Sequence, residues 1–293
     1  RDGGIALAHF LSKNGRILGE ATVTRRASSH FYLLSAASAE LRDLDHLLQQ
    51  VHTGEQVEIH NATEDRGVIV LAGPRARDVL GSLTDASLES ADFPWRSAQE
   101  IDIAGIGTLA LRINYVGELG WELHPAMADL PSLYAAIWAA GEAYGIADFG
   151  LYALNSLRME KAYRGWGAEL TNEVTMLEAD MARFFGSAKE DFVGKTATET
   201  GEAGPLRLVY FEVDAENADV RGGEPIFLND ACIGVTTSGG YGYAVEKSLG
   251  FGYVPPEQSA PGSVMDIGLL DARCRATVLA EPIYDPANER LAS

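Results

Sequence analysis

The sequence predicts an α+β fold, and three observations predict it. Strand-like and helix-like segments alternate through the first two hundred residues, apolar runs become short after Leu206, and Gly, Pro, Asn and Asp separate those later runs. The first part therefore reads as strands covered by helices. The second reads as a small antiparallel barrel or sandwich.

Taken in order, Ile5–Leu11 and Ile17–Thr24 form a hairpin around Lys13-Asn14-Gly15, because an Asn-Gly pair favours the positive φ of a tight turn. Phe31–Ser35 is a further strand. Ser38 then caps a helix in which Leu41, Leu44, Leu47 and Leu48 follow a helical period. Val57–His60 and Val68–Ala72 are expected strands, Pro74 opens a helix that runs to Leu83, and Thr108–Ile113 closes a βαββαβ, ferredoxin-like order. Leu130–Tyr144 is a helix stopped by Gly145, and Asp148 is placed to cap the next one, which carries Leu151, Leu154, Leu157 and Arg158. Phe192–Thr196 opens a short helix. Leu206–Val213, Pro225–Leu228, Ala231–Thr237, Leu249–Val254 and Ala276–Leu279 are the barrel strands. The change of character sets the expected division at 1–204 and 205–293.

Composition excludes several classes of function. A chain of 293 residues with 46% hydrophobic content buries one large core or two modest ones, and it contains no apolar run of 18 residues for a membrane span. A net charge of -19 opposes nucleic-acid binding, which needs Lys and Arg against phosphates. Cys232 and Cys274 have no metal spacing and imply no disulfide framework, so a reducing cytoplasm is the expected location. The six histidines make no HxxxH or HExxH pattern, and no metal site is expected. His9 and His30 read as structural. The opening Arg1-Asp-Gly-Gly, a turn leading straight into a strand, reads as the interior of a domain, with an earlier part of the fold expected before it.

Common cofactor motifs are missing. Gly239-Gly-Tyr-Gly242 lacks GxGxxG spacing and lies among barrel strands, and neither a Walker loop nor a GxSxG elbow occurs. The stretch Tyr115-Val-Gly-Glu-Leu-Gly-Trp-Glu122 is more informative. A strand enters a glycine turn, a second strand (Trp121–His124) leaves it, and a carboxylate just past such a turn is placed to accept from the N–H groups of a flat heterocycle. A hairpin with surface glutamates explains the same pattern. Glu20 lies among apolar neighbours in Gly15–Val23, where a carboxylate is unusual, although an outward position on an edge strand accounts for it.

Six segments in order carry a resemblance. They are Gly15–Val23, Arg112–Leu123, Phe149–Lys161, Phe192-Val-Gly-Lys195, Thr236–Tyr243 and Lys247–Pro255. Together they resemble the glycine-cleavage T-protein (aminomethyltransferase) family, and within it the folate-binding C-terminal half of dimethylglycine and sarcosine dehydrogenases. The resemblance implies a cloverleaf-like body that binds tetrahydrofolate. It implies that Glu122 pairs with the pterin N–H groups and that Tyr115 lines the pocket, with Thr22 and His124 at its wall. It implies that Glu20 stands where the family places an acidic residue near folate N5 and N10, usually Asp. Three positions depart from the family. Leu154 replaces a folate-binding Arg, and Met176 and Asp180 replace a Pro and a Gly.

The implied reaction is one-carbon transfer, in which the methylene of an oxidised N-methyl amine is captured as 5,10-methylenetetrahydrofolate. The amine or its iminium is the small-molecule partner. FAD enters only with an upstream oxidoreductase domain. Two alternatives stay open: a non-catalytic folate-binding protein, and a folate-dependent O- or S-demethylase. Arg158 and Glu160 read as an ion pair on one helix, and Tyr241, Tyr243 and Tyr253 as barrel core.

Overall fold

A computed structural model describes residues 1–186, 188–201 and 204–293. Glu202 and Ala203, within the expected boundary stretch, lie outside the described residues. The chain divides into two compact units, one of residues 1–7, 21–149 and 287–293, the other of 8–20 and 150–286.

The Asn-Gly hairpin forms as expected. Strands β1 (Ile5–Leu11) and β2 (Ile17–Ala27) flank a turn in which Gly15 takes φ 75°, and β3 (His30–Ser35) completes a sheet ordered β1-β2-β3. Strand β2 is therefore central rather than an edge. Helix α1 (Glu40–Gln49) follows a short 3-10 turn, with no side-chain cap from Ser38.

The segment 57–60, expected as a strand, has no regular structure. Strand β4 (Ile69–Ala72) leads to α2 (Ala76–Gly81), then β5 (Ala98–Ile103), β6 (Ile106–Leu111), β7 (Gly120–His124) and α3 (Leu130–Gly141). The second sheet is antiparallel in the order β4-β7-β6-β5. The expected βαββαβ set is thus spread over two sheets, because β3 pairs with β2 and β5 occupies the far edge of the second sheet. Trp121 and Leu123 point into a core with Phe93, Leu80, Ile103, Leu133 and Ile137. Alternation along a strand then puts Glu122 and His124 on the opposite face.

Two features hold β7 in register. Gly120 lies so close to β4 that a Cβ there would stand 2.5 Å from the Leu71 carbonyl oxygen and 2.8 Å from Ala72 Cα. The turn before it is closed by Asn114, whose Oδ1 accepts from the N–H groups of Val116 and Gly117 at 3.0 Å each, while its Nδ2 donates to the Glu118 carbonyl at 2.7 Å. Such an Asx turn leaves φ 79° to Gly117, where glycine carries no Cβ penalty.

In the second unit, Gly150 rather than Asp148 stands at the start of α4 (Leu151–Glu160). Within the first unit, Asp148 accepts from the Tyr134 hydroxyl. Helix α4 buries a polar face, Ser156, Arg158 and Glu160, instead of its leucines. The reason is β10 (Ala231–Gly242), the strand it packs on. Asn155 Nδ2 donates to the Gly239 carbonyl at 2.9 Å, Ser156 Oγ to that of Tyr241 at 2.6 Å, and Glu160 accepts from the Ala244 N–H at 2.7 Å. Gly240 and Gly242 leave room for this approach, since a Cβ at either would press on Asn155 or Glu160.

Helix α5 (Lys195–Thr200) precedes a closed antiparallel barrel ordered β10-β11-β8-β13-β12-β9. Its remaining strands are β8 (Arg207–Val213), β9 (Pro225–Leu228), β11 (Lys247–Val254), β12 (Val264–Leu269) and β13 (Ala272–Val278). A last turn, α6 (Glu289–Ala292), belongs to the first unit. Barrel closure removes free strand edges. Phe211, Ile226, Val254, Ile267 and Ala276 fill its interior. Of the three tyrosines expected in the barrel core, Tyr243 is 77% exposed, while Tyr253 donates to the Glu169 carbonyl at 2.8 Å.

Arg158 pairs with Glu169 at 3.0 Å, not with Glu160. Glu169 is wholly buried and takes four donors: Arg158, the Gly165 N–H, and the hydroxyls of Thr237 and Ser238. Replacing Glu169 by Ala leaves a buried guanidinium without its charge partner, so stability should fall by about 3–5 kcal/mol. In the first unit, Gly120→Ala should lower it by about 1–3 kcal/mol through overpacking against β4. Urea midpoints that match wild type in either variant would refute the corresponding account.

Candidate functional site

Strand β7 is hydrogen-bonded on both sides, with Glu122 opposite Val70 of β4 and Leu111 of β6. The Glu122 backbone is therefore fixed while its side chain stays 21% exposed. Two residues on, His124 is fully buried on the same face, with Nε2 3.7 Å from Glu122 Oε2. That separation is too long for a hydrogen bond, and among the described residues Nε2 has no hydrogen-bond partner. Its Nδ1 lies 3.3 Å from the Tyr32 hydroxyl, and the two rings meet edge to face at 5.6 Å. Arg66 Nη1 donates to the His124 carbonyl at 3.0 Å. Burial pushes the Tyr32 phenol above its ordinary pKa; the charge on Glu122 adds to this, while Arg66 and Arg26 oppose it. The phenol therefore stays neutral and keeps its proton for hydrogen bonding.

Tyr115 is half-buried in the Asn114-braced connection between β6 and β7. Thr22 is half-buried on β2 opposite Leu34 of β3, the strand that carries Tyr32. The structure thus joins Glu122, His124 and Tyr32 directly in the first unit. Tyr32 was not expected from the sequence. It is one of several aromatic and aliphatic residues in His30–Ser35, and only the fold distinguishes it. Glu118, in the same turn, lies 3.7 Å from Arg290 Nη1 and forms an ion pair within the framework.

Glu20 belongs to the second unit. Its Oε2 is 3.0 Å from His9 Nε2, its side chain is 21% exposed and that of His9 is 3% exposed. The His9 ring packs on Phe184 with centroids 5.9 Å apart. Among the described residues no other group hydrogen-bonds the Glu20 carboxylate. The alternation of β2 explains the half-burial: Ile17, Gly19 and Ala21 are buried, and Leu18, Glu20 and Thr22 are partly open. His9, expected to be structural, is therefore the partner of the carboxylate. The Asn-Gly hairpin carried the signal, since a turn at 13–15 brings position 9 toward positions 19 and 20.

Two departures from the family pattern have a local account. Met176 is buried among Leu11, Ile17, Leu170, Ala179 and Met181. Asp180 adopts φ 54°, a left-handed conformation natural to Gly, and its carboxylate pairs with Arg164 at 2.5 Å. Among the described residues no group of three or more His, Cys, Asp and Glu is arranged to hold a metal, and no helix is long and apolar enough to cross a membrane. Cys232 and Cys274 are free thiols.

Comparison with known proteins identifies the family. The GCVT N-terminal domain matches residues 1–189, and the glycine cleavage T-protein C-terminal barrel domain matches residues 207–285. Mitochondrial dimethylglycine dehydrogenase of Mus musculus is 39% identical over 97% of this chain, and human mitochondrial sarcosine dehydrogenase 31% identical over 87%. The chain spans only about a third of these relatives, 34% and 30% of their lengths. The aminomethyltransferase of Listeria welshimeri is 30% identical over 94% of this chain and 75% of its own. The crystal structure of aminomethyltransferase T from Bartonella henselae shares the fold, with a TM-score of 0.86 at 23% identity over 98% of this chain and 77% of that one. With both domains matched in order and the fold shared along nearly its whole length, the chain belongs to the glycine cleavage T-protein (aminomethyltransferase) family.

Proposed function

We propose that this chain binds tetrahydrofolate and captures the methylene of an oxidised N-methyl amine of the dimethylglycine or sarcosine type. The observation that carries the reading is the Glu122 carboxylate. It sits on a backbone held from both sides, beside a buried histidine, and no donor among the described residues occupies its oxygens. An acceptor with open lone pairs suits the adjacent N–H donors of a pterin, and paired charge-assisted hydrogen bonds of that kind are the strong ones. The names of the dehydrogenase relatives supply the amine class.

When bound, tetrahydrofolate supplies two nucleophilic nitrogens for a one-carbon unit. The net reaction converts an iminium and tetrahydrofolate to the demethylated amine, 5,10-methylenetetrahydrofolate and one proton. Glu122 orients the pterin, Tyr115 lines its pocket, and Thr22 and His124 form the wall. Glu20 offsets the positive charge of the iminium and receives the released proton. In this reading residues 1–204 form the folate-binding part, and 205–293 the barrel against which α4 is braced. Leu154 leaves the family's arginine contact to folate unmade. An FAD oxidoreductase domain or partner is the proposed source of the iminium. Free thiols suit a reducing compartment, and the mammalian relatives are mitochondrial by name.

Titration calorimetry tests the binding half. Glu122→Ala should weaken tetrahydrofolate binding about 10- to 100-fold, the scale of losing charged hydrogen bonds; unchanged affinity rejects the site. Rapid-mixing kinetics with a preformed iminium tests the chemical half. Glu20→Gln should keep the affinity and slow methylene capture about 100-fold, as loss of one preorganised electrostatic contact does. A rate equal to wild type leaves a folate-binding protein without this catalyst. Release of 5-methyltetrahydrofolate as product would favour the demethylase reading instead.

A further inference from the structure

We propose that His9 is the positioning residue for Glu20, a role that rests on the reading of Glu20 above. The imidazole is almost fully buried, its ring is held against Phe184, and its only polar partner among the described residues is Glu20 Oε2 at 3.0 Å. A buried ring nitrogen facing a carboxylate donates its proton, which assigns the hydrogen to Nε2. One oxygen of Glu20 is thereby fixed. Oε1 has no hydrogen-bond partner among the described residues and is the oxygen presented to the reacting centre.

The physical need comes from the side chain itself. A Glu has one more rotatable bond than the Asp usual at this position, so its carboxylate sweeps a larger volume unless something restrains it. Electrostatic stabilisation acts only through groups already in place when charge develops. The His9 N–H supplies that restraint from β1 to β2, the two strands of one hairpin. The arrangement matches the general pattern in which an orienting partner fixes the group that does the chemistry.

The test is a set of variants of the full protein, each followed for methylene-capture rate, tetrahydrofolate Kd and melting temperature. His9→Gln keeps an amide donor near the Nε2 position, whereas His9→Asn is a methylene short and His9→Leu has no donor. His9→Leu and His9→Asn should slow capture about 10- to 100-fold, the range for loss of an orienting partner, with Kd within about twofold of wild type. His9→Gln should recover most of the rate. In a Glu20→Gln background, His9→Leu should add no further slowing.

Three outcomes overturn the role of His9 by itself: a wild-type rate in His9→Leu, a His9→Gln as slow as His9→Asn, or equal slowing by His9→Leu in the wild-type and Glu20→Gln backgrounds. Slow Glu20→Gln together with normal His9→Leu removes only the role of His9. A normal rate in Glu20→Gln removes the Glu20 reading and this proposal with it. A readout independent of activity is the 15N spectrum of labelled histidine, assigned by the His9→Gln variant. It should show a proton on His9 Nε2, and an unprotonated Nε2 overturns the donor assignment.

Discussion

Taking a carboxylate out of water costs free energy unless donors meet its lone pairs, and this constraint separates three glutamates of the chain into two kinds. Glu169 is the satisfied kind. Its two oxygens take Arg158, a backbone N–H and two barrel hydroxyls, so α4, the Gly165 loop and β10 are held at one point. Glu160 works alongside it by accepting the Ala244 N–H. With those groups in place the helix can bury a polar face against a glycine-rich strand. Donors come from both sides, Asn155, Ser156 and Arg158 from the helix and Thr237, Ser238 and the Ala244 N–H from the barrel.

Glu20 and Glu122 are the other kind. Each is half-buried, each rests beside one buried histidine, and neither is saturated by donors among the described residues. The two histidines differ in what they do for their neighbours. His9 is within hydrogen-bond distance of Glu20, whereas His124 stops short of Glu122 and is tied instead to Tyr32. The first arrangement sets a ring nitrogen against the carboxylate, and the second leaves the carboxylate without that contact.

Much of this was legible in the sequence where the physics is local. The Asn-Gly hairpin, the glycine stop at Gly145 (φ 73°), the strand Pro225–Leu228 and the antiparallel barrel follow from turn chemistry and period. Val57–His60 has strand-forming residues but no strand to pair with, and propensity without a partner does not make a sheet. Strands β5 and β12 escaped notice although Ile101 and Ile103, and Met265, Ile267 and Leu269, keep a period-two alternation, because Gln, Glu, Asp and Gly between them lower the strand propensity. The leucines of α4 predicted the wrong buried face, since the carbonyls of β10 that select Asn155 and Ser156 lie more than eighty residues away. Glu20 and Glu122 stood out by their neighbours, and their histidine partners did not. Tyr32 reaches His124 across 92 positions, a separation at which pattern carries no information.

The Asn114 turn has a thermodynamic consequence. Three hydrogen bonds from one side chain close the loop that carries Tyr115 and leads into Glu122, and Glu118 adds an ion pair with Arg290. The loop's conformational entropy is therefore surrendered during folding, before any ligand arrives. Under the proposed function, association meets a loop already ordered, so little of the contact energy is consumed in ordering the chain. The bound lifetime then reflects the contacts themselves, and the association rate is not slowed by waiting for a loop to close.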